Sequence, residues 1–466
     1  MQQRNNSLDA LRGLAILAMV LSSSIAFGIL PAWMYHAQEP PPTHAFIPTL
    51  PGISWVDLVF PFFLFSMGAA IPLALNKKIK EGTSFLPVLF TAARRYLLLV
   101  FFALFTVHAR SAIINSNPYP IHYLLSIAAF VLLFFQLYKP AGQRQEKLFT
   151  VLRILAFLAA GIMLYLLPFK DGKGFSLYRS DIIIIVLANM AFFGTVIWWF
   201  TKDHPWIRLA ILPFIMAVLL GAKEPGSWNE MFFQWSPAPW MYQFYYLKYL
   251  FIILPGTLAG DWLLKHKASF DLSTGNSGST GTGRIAILSF AIIIINVILL
   301  FGRHLLVNLI LTAVLCMLVY SCLKKGKQQR NHLLMLFFKA GTWLLLLGLF
   351  FEAFEGGIKK DPSTFSYYLV TSGLAFFMLM TFYGLQRTSI GGPIVHYLSL
   401  NGRNPMVAYV TGNLLLLPLL HLSGGMALYA AMQKNVATGF LSGVLFTAIV
   451  SAVTVLFTKR GWMWKT

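Results

Sequence analysis

The chain has 466 residues, of which 58% are hydrophobic and 11% are charged, and its formal net charge is +21. A soluble domain usually carries about 25% charged residues, so this composition excludes an ordinary soluble globule and predicts a protein that folds in lipid. The excess of Lys and Arg does not indicate a nucleic-acid partner, because basic residues of membrane proteins mostly set their orientation.

Apolar runs of about 20 residues, each long enough to cross a bilayer as a helix, recur along the whole chain. The sequence therefore predicts an all-α, polytopic integral membrane bundle of about 11–14 transmembrane helices. The runs near 205–222 and 304–323 are the weakest as separate crossings. The candidate spans are 8–30, 54–76, 90–108, 120–138, 148–168, 181–200, 205–222, 244–264, 285–302, 304–323, 332–353, 366–386, 404–421 and 440–458.

The first run is interpreted as a retained span, because it contains charged residues and no small-residue cleavage site follows it. With the N-terminus placed inside, 26 of the 36 Lys and Arg residues fall on the inner side. This bias predicts that both termini are cytoplasmic, and that the loop with His36 and His44 lies outside.

The stretch "STGNSGSTGTG" is rich in Gly, Ser and Thr and predicts a flexible cytoplasmic linker. No internal repeat accompanies it, so we treat 1–466 as a single membrane domain. Within that domain we expect an N-terminal helix group, a linker and a C-terminal helix group, at 1–267, 268–284 and 285–466.

The two cysteines, Cys316 and Cys322, lie in one apolar run. Their spacing is not that of a metal-binding pair, and it predicts no disulfide framework. We therefore expect no metal.

Ionisable side chains inside spans are costly and indicate a functional site. In "SLDALRGLAIL", Asp9 and Arg12 are three residues apart, so they share a helix face and can pair. The alternative is a pair that only snorkels at the cytoplasmic end of the first span.

The loop "HAQEPPPTH" contains two histidines, one acid and no Lys or Arg. An imidazole takes and gives a proton near neutral pH, and we expect a loop without cations to preserve that capacity. His36 or His44 is therefore a candidate general base. The alternative is an interfacial loop with two incidental histidines.

Asp57 lies at the outer start of the second span, in "GISWVDLVFPFFLFSMG". One interpretation is a helix cap, since an acid there complements the helix dipole. The other is a carboxylate that orients a histidine by accepting its N–H group.

Two basic groups are candidate phosphate sites on the cytoplasmic side. Arg94 and Arg95 form one, together with Lys77, Lys78 and Lys80 just after the second predicted span. In "NGRNPMVAYV", Arg403 and the backbone N–H groups of the helix that Asn404 begins form the other. The alternatives are a topology signal for the first group and an ordinary cap for the second.

These stretches together carry a family resemblance. "SLDALRGLAILAMV", a histidine-containing outer loop and "GISWVDLVFPFFLFSMG" resemble the start of the heparan-alpha-glucosaminide N-acetyltransferase family and its bacterial relatives. Later stretches are similar to this family in the same order: "ILPGTLAGDWL", "GGIKKDPSTFSYYLVTSGLAF" and "NGRNPMVAYV". The chain departs from the family in having Ser22–Ser24 where an Asn is usual, a longer first loop and more spans.

The resemblance implies an acetyl-CoA-dependent N-acetyltransferase of the bacterial inner membrane. It would move acetyl from cytoplasmic acetyl-CoA, its co-substrate, to the amine of a glucosamine-type sugar or glycan outside. The resemblance also implies a homodimer. The rival class is a multi-span transporter or flippase, which has no reason to bind CoA.

On these grounds we assign three groups of site residues. The catalytic candidates are His36, His44 and Asp57, with His36 preferred between the histidines. The cofactor-binding candidates are Arg12, Arg94, Arg95, Arg403 and Asn404. The substrate-binding candidates are Asp9, Ser23, Trp55 and Lys359.

Overall fold

The computed structural model describes residues 5–140, 143–266, 279–325 and 330–465. Throughout this part of the chain the regular structure is helical and no strand is present, so the all-α prediction is confirmed. Most of the predicted linker, 268–284, lies outside the described residues, and its last six residues form the first turns of a helix instead of a loop.

In the described ranges, fifteen helices form the bundle. They are α1 (Asn6–Ser24), α2 (Trp55–Lys80), α3 (Phe85–His108), α4 (Pro120–Leu137), α5 (Gln143–Leu166), α6 (Ile182–Thr201), α7 (Pro205–Gly221), α8 (Leu250–Lys265), α9 (Ser279–Phe301), α10 (Leu305–Lys324), α11 (Arg330–Phe354), α12 (Phe365–Leu385), α13 (Gly391–Gly402), α14 (Pro405–Leu422) and α15 (Val436–Lys459). A π-helical turn, Gly412–Leu416, interrupts α14. Short helical turns at Ala32–Met34, Ser111–Ile114, Trp228–Gln234, Phe244–Tyr249 and Met426–Met432 connect them.

Thirteen helical segments in the described residues are long and apolar enough to cross a membrane, which confirms a polytopic helical membrane protein. They coincide with thirteen of the fourteen predicted spans. The prediction for 8–30 is too long, because α1 ends at Ser24, where the serine hydroxyls bond back to carbonyls of their own helix.

The fourteenth predicted span corresponds to the shorter helix α7, with 17 residues. Gly194 lies against Ile253, and further along both helices the Trp198 indole donates to Asp261 at 3.1 Å. Helices α6 and α8 therefore run in the same direction. The chain must return between them, and α7, about 25 Å long, makes that return.

We call the side of the bundle where α1 begins the amino face, and the side where α1 ends the histidine face. Helix α13, which the sequence analysis did not predict, begins and ends at the amino face. Just before it, Gln386 accepts a bond from Ser7 at 3.0 Å, and just after it, Arg403 donates to Asn6 at 2.9 Å. Helix α13 therefore does not cross the bundle.

Backbone contact between α1 and α13 explains the glycine in the "LRG" motif. A Cβ atom added at Gly13 would lie 1.9 Å from the Leu398 carbonyl oxygen, and one added at Gly402 would lie 1.8 Å from that of Asp9. Glycines also line the contact between α2 and α8 (Gly68, Gly256 and Gly260). Small residues of this kind let membrane helices approach closely.

The two predicted helix groups pack against each other through α12, whose apolar core is 94% buried. Phe65 of α2 and Phe376 of α12 meet edge to face, with ring centroids 4.8 Å apart. This contact holds the N-terminal helices in register with the C-terminal ones.

The first prediction concerns the α1–α13 contact. Gly402→Ala should destabilise the protein by about 1–3 kcal/mol, because the new methyl group cannot fit without moving backbone. The measurement is the thermal unfolding midpoint in detergent micelles. The control is Gly161→Ala in α5, where a Cβ atom meets nothing within 4 Å, and which should be neutral or slightly stabilising. Equal midpoints for the two variants would contradict the close contact.

Candidate functional site

The loop between α1 and α2 is held in place by Ser54, the residue just before α2. Ser54 is the N-cap of α2, and its hydroxyl donates to the Tyr35 carbonyl at 2.6 Å. Asp57, three residues further, completes a capping box by accepting the Ser54 N–H at 2.9 Å. His36, which follows Tyr35, is thereby brought to the start of α2.

His36 and Asp57 form a hydrogen-bonded pair at the histidine face. Nδ1 of His36 lies 2.6 Å from Oδ1 of Asp57, and Oδ2 of Asp57 accepts the Ala37 N–H at 3.2 Å. The Asp57 side chain is 2% exposed, whereas that of His36 is 31% exposed. Asp57 thus acts both as a helix cap and as the carboxylate that orients the histidine, the two interpretations left open above. With Nδ1–H donated to Asp57, Nε2 is left as the basic nitrogen.

Lys360 contacts the same histidine. Its Nζ lies 3.0 Å from Nδ1 and 3.1 Å from Nε2 of His36, and 4.0 Å from Oδ1 of Asp57. The expectation of a histidine site without cations is therefore wrong: the cation comes from the loop between α11 and α12. The predicted Lys359 is its neighbour, and its Nζ instead lies 3.5 Å from the Glu355 carbonyl.

The environment of Lys360 changes its proton affinity. Burial lowers the pKa of the Lys360 ammonium from the ordinary value for lysine, because a charge is poorly solvated there. The carboxylates of Asp57, Glu39 and Asp361 offset part of this shift, since each favours the charged form. Lys360 is therefore a cation that gives up its proton more easily than a free lysine.

Two loops that are distant in sequence hold this arrangement. Gln38 and Asp361 exchange hydrogen bonds: the Asp361 N–H donates to Oε1 of Gln38 at 2.8 Å, and the Gln38 amide donates to the Asp361 carbonyl. Gly52 also donates to the Ile358 carbonyl at 2.7 Å. The stretch "GGIKKDPSTF" was singled out by sequence, but only these contacts identify Lys360 as its site residue.

His44 is not part of the pair. Its ring stacks on Phe27, with centroids 3.8 Å apart, and meets Tyr35 edge on at 4.5 Å. Both ring nitrogens are buried without a hydrogen-bond partner among the described residues. The catalytic assignment of His44 is therefore not supported by its surroundings, which are those of a packed aromatic side chain.

Two of the predicted substrate-binding residues, Ser23 and Trp55, make contacts that support the fold. Ser23 bonds back to the Val20 carbonyl of its own helix at 2.9 Å. Trp55 packs against the small apolar cluster under the loop, which contains Ile25, Met34 and Tyr35.

The predicted Asp9–Arg12 pair is present, with Nη1 of Arg12 lying 3.4 Å from Oδ1 of Asp9. Arg12 also donates to the carbonyl of Gly402 at 3.3 Å and to that of Ser66 at 3.2 Å. Ser66 lies about 16 Å along α2 from its start. Arg12 therefore reaches into the bundle, and the interpretation of a snorkelling pair is wrong.

Two more arginines lie close to Arg12. Nε of Arg403 is 3.6 Å from Oδ2 of Asp9, so Asp9 stands between two guanidinium groups. Arg95 of α3 is half-buried and within electrostatic reach of Arg12. We call Arg12, Arg95 and Arg403 the arginine cluster. Arg94, the neighbouring candidate, is exposed and points away from the interior.

Asn404 does not serve as predicted. Its side chain is completely buried, donates to the Trp462 carbonyl at 2.9 Å and accepts the Trp464 N–H at 3.1 Å. No side-chain cap of α14 forms. The Asn404 side chain instead holds the C-terminal tail, so it does not face a cofactor; the phosphate site predicted for the backbone N–H groups that follow it stays a prediction.

A small apolar cavity of about 30 Å³ lies at a level between the arginine cluster and the His36–Asp57 pair. Ile16 follows Arg12 by one turn on α1, Leu99 follows Arg95 by one turn on α3, and Phe60 follows Asp57 on α2. The cavity is lined by Ile16, Met19, Phe60, Phe63, Leu99, Phe102, Ile183, Ile184, Leu187, Pro405, Met406 and Tyr409. Along α2, Asp57 and Ser66 are nine residues apart, or about 14 Å.

Within the described ranges, no group of three or more His, Cys, Asp or Glu side chains is placed to hold a metal ion. The groups that the structure brings together here are an imidazole, a carboxylate, an ammonium group and a guanidinium cluster. Such a set moves protons and binds anions.

Residues 4–263 match the model of a protein family described as a domain of unknown function, DUF5009. The match covers more than half of the chain, so the protein belongs to this family. It includes His36, Asp57, Arg12 and Arg95, and ends before Lys360. No curated protein matches the chain.

The second prediction concerns Lys360. Acylation of Lys360 by an amine-directed reagent, followed by mass spectrometry across a pH series, should give a half-maximal rate below the pH expected for a free lysine, whose pKa is about 10.4. Asp57→Asn should move that pH lower still, because the variant loses a carboxylate that favours the ammonium. A midpoint at or above the free value, or an upward shift in Asp57→Asn, would refute the assigned environment.

Proposed function

We propose that the protein is a membrane acetyltransferase that passes an acetyl group from CoA, bound from the amino face, to an amine at the histidine face. The observation that carries the proposal is an alignment along α1, α2 and α3. A cationic cluster, an apolar cavity and a His–Asp–Lys group follow one another there.

The arginine cluster suits the donor. Phosphates bind guanidinium groups through charge-assisted hydrogen bonds, and Arg12, Arg95 and Arg403 bring three positive charges together near Asp9. Like charges that are close together in a bundle repel one another, and an anionic ligand would relieve that repulsion. The amino face is then cytoplasmic, as the distribution of basic residues predicts.

The cavity suits the acyl-bearing arm by its position and its apolar surface, although at about 30 Å³ it holds only about one water molecule, so that the lining side chains would move apart to admit the arm. Its lining is entirely apolar, so the CoA phosphates would remain on the arginines while the uncharged arm extends toward Asp57. Charged CoA itself does not need to cross the membrane. Once the arm fills this space, the apolar walls would keep water away from the thioester and so protect it from hydrolysis.

His36 then acts as general base. Nε2 removes a proton from the acceptor amine, whose nitrogen attacks the thioester carbonyl; the C–N bond forms, the C–S bond breaks and the CoA thiolate leaves. Asp57 holds the imidazole in the required tautomer and stabilises the imidazolium. In the structure the Lys360 ammonium lies 3.1 Å from Nε2; when donor and acceptor bind, it would move from this nitrogen to the carbonyl oxygen and stabilise negative charge there.

A second route uses the same groups. Nε2 of His36 attacks the thioester first and releases the CoA thiolate, and the acceptor amine then takes the acetyl group from the acetyl-imidazole. The resemblance noted above points to the amine of a glucosamine-type sugar or glycan as the acceptor in either route.

The third prediction tests the base. With labelled acetyl-CoA and glucosamine, purified protein in detergent should transfer acetyl, and His36→Ala should lower kcat/KM by about 10²–10⁴-fold. Asp57→Asn should also lower it. The matched control is His44→Ala, which removes a histidine of the same loop and should keep most of the activity. Loss in His44→Ala with retention in His36→Ala would overturn the assignment.

The fourth prediction tests the donor site. Arg95→Gln should weaken acetyl-CoA binding by about 10–100-fold, the value of one hydrogen bond to a charged group. Arg94→Gln, at the exposed neighbouring position, should bind normally. Equilibrium binding of labelled acetyl-CoA to protein in nanodiscs measures both. Folded wild-type protein that neither binds CoA nor transfers acetyl would favour the transporter class instead.

A further inference from the structure

Two histidines meet at the amino face, away from the site described above. Nε2 of His266 lies 3.0 Å from Nδ1 of His332, with ring centroids 5.1 Å apart. His266 follows the last residue of α8, and His332 lies in the first turn of α11. The pair is at an exposed position, so solutes reach it from the aqueous phase.

The packing beneath the pair is fixed. Trp262 of α8 and Phe337 of α11 lie one turn or slightly more below the two histidines, and their ring centroids are 6.2 Å apart. Phe376 of α12 packs against both rings. The two helix ends are therefore held at a defined separation, and the histidine pair does not depend on a flexible approach.

Hydrogen bonding fixes the tautomer of His266. Its Nδ1 lies 2.9 Å from the Trp262 carbonyl oxygen. A carbonyl only accepts, so Nδ1 carries the proton and Nε2 of the neutral ring presents a lone pair toward His332. A ring N–H donated to a backbone carbonyl is the outer support that metal-bound histidines usually have.

We propose that His266 and His332 bind a divalent transition-metal ion, Zn²⁺ or Cu²⁺, between Nε2 of the first and Nδ1 of the second. Zn–N bonds of about 2.0–2.1 Å at a tetrahedral angle place two nitrogens about 3.3–3.4 Å apart. The observed 3.0 Å requires only a small opening. His332 would carry its own proton on Nε2, which then faces away from the ion.

The chemistry of the pair selects the metal class. Imidazole nitrogens suit Zn²⁺, Ni²⁺ and Cu²⁺, whereas Mg²⁺ and Ca²⁺ prefer oxygen ligands. No third His, Cys, Asp or Glu among the described residues joins the pair, and water can occupy the remaining coordination positions. The ion would link α8 to α11. The family match ends at residue 263, near the end of α8, so α11 lies outside the matched part of the chain.

The test uses the full chain in detergent micelles, titrated with Zn²⁺ and separately with Cu²⁺ by isothermal calorimetry. We expect one saturable site per chain, tighter for Cu²⁺ than for Zn²⁺, and no heat with Mg²⁺. His266→Ala and His332→Gln should each weaken Zn²⁺ binding at least 10-fold, and the double variant should be no worse than either single one.

The matched control is His204→Ala, which removes a single exposed histidine at the start of α7, on the same face. It should leave the Zn²⁺ isotherm unchanged. Unchanged thermal midpoints without metal show that the variants fold. Zn²⁺ binding that is absent in wild type, or equally strong in the double variant, overturns the proposal. The readout is independent of acetyl transfer.

Discussion

The buried carboxylate of Asp57 is the constraint on which the site depends. A carboxylate removed from water is stable only when its oxygens are fully paired. Here the partners are His36, Ala37 and Ser54, and they come from the middle and the end of one loop. The loop conformation, the start of α2 and the orientation of the imidazole are therefore one structural unit, because a change in any of them would remove a partner of the Asp57 carboxylate.

That unit is completed from the other end of the chain. Tyr367 of α12 donates its hydroxyl to the Asp57 backbone carbonyl at 2.7 Å, and Lys360 places its ammonium against His36. Among the membrane-length helices of the described residues, α12 has the largest buried fraction. These contacts therefore attach the histidine face to the centre of the bundle. This attachment holds the imidazole of His36, the carboxylate of Asp57 and the ammonium of Lys360 within a few ångströms of one another.

Charge is distributed unevenly along the first three helices. Ionisable groups gather around Asp57 at one level and around Arg12 at another, and only apolar side chains line the space between them. In a low-dielectric interior each group is sensitive to its partners. Placing ionisable groups inside the bundle at both levels costs free energy. Their separation by an apolar space therefore supports the functional proposal more strongly than any single residue does.

The sequence by itself determined the membrane class and the positions of the thirteen membrane-length helices in the described residues, because hydropathy is a local property of the chain. It did not predict α13, whose 12 residues are too short for a span. Only the tertiary structure showed that His36 contacts Asp57 whereas His44 does not, that Lys360 contacts His36, and that the Asn404 side chain holds the C-terminal tail. Each of these outcomes depends on contacts between segments tens to hundreds of residues apart, and nothing in the local pattern of a single chain records which distant side chain will meet it.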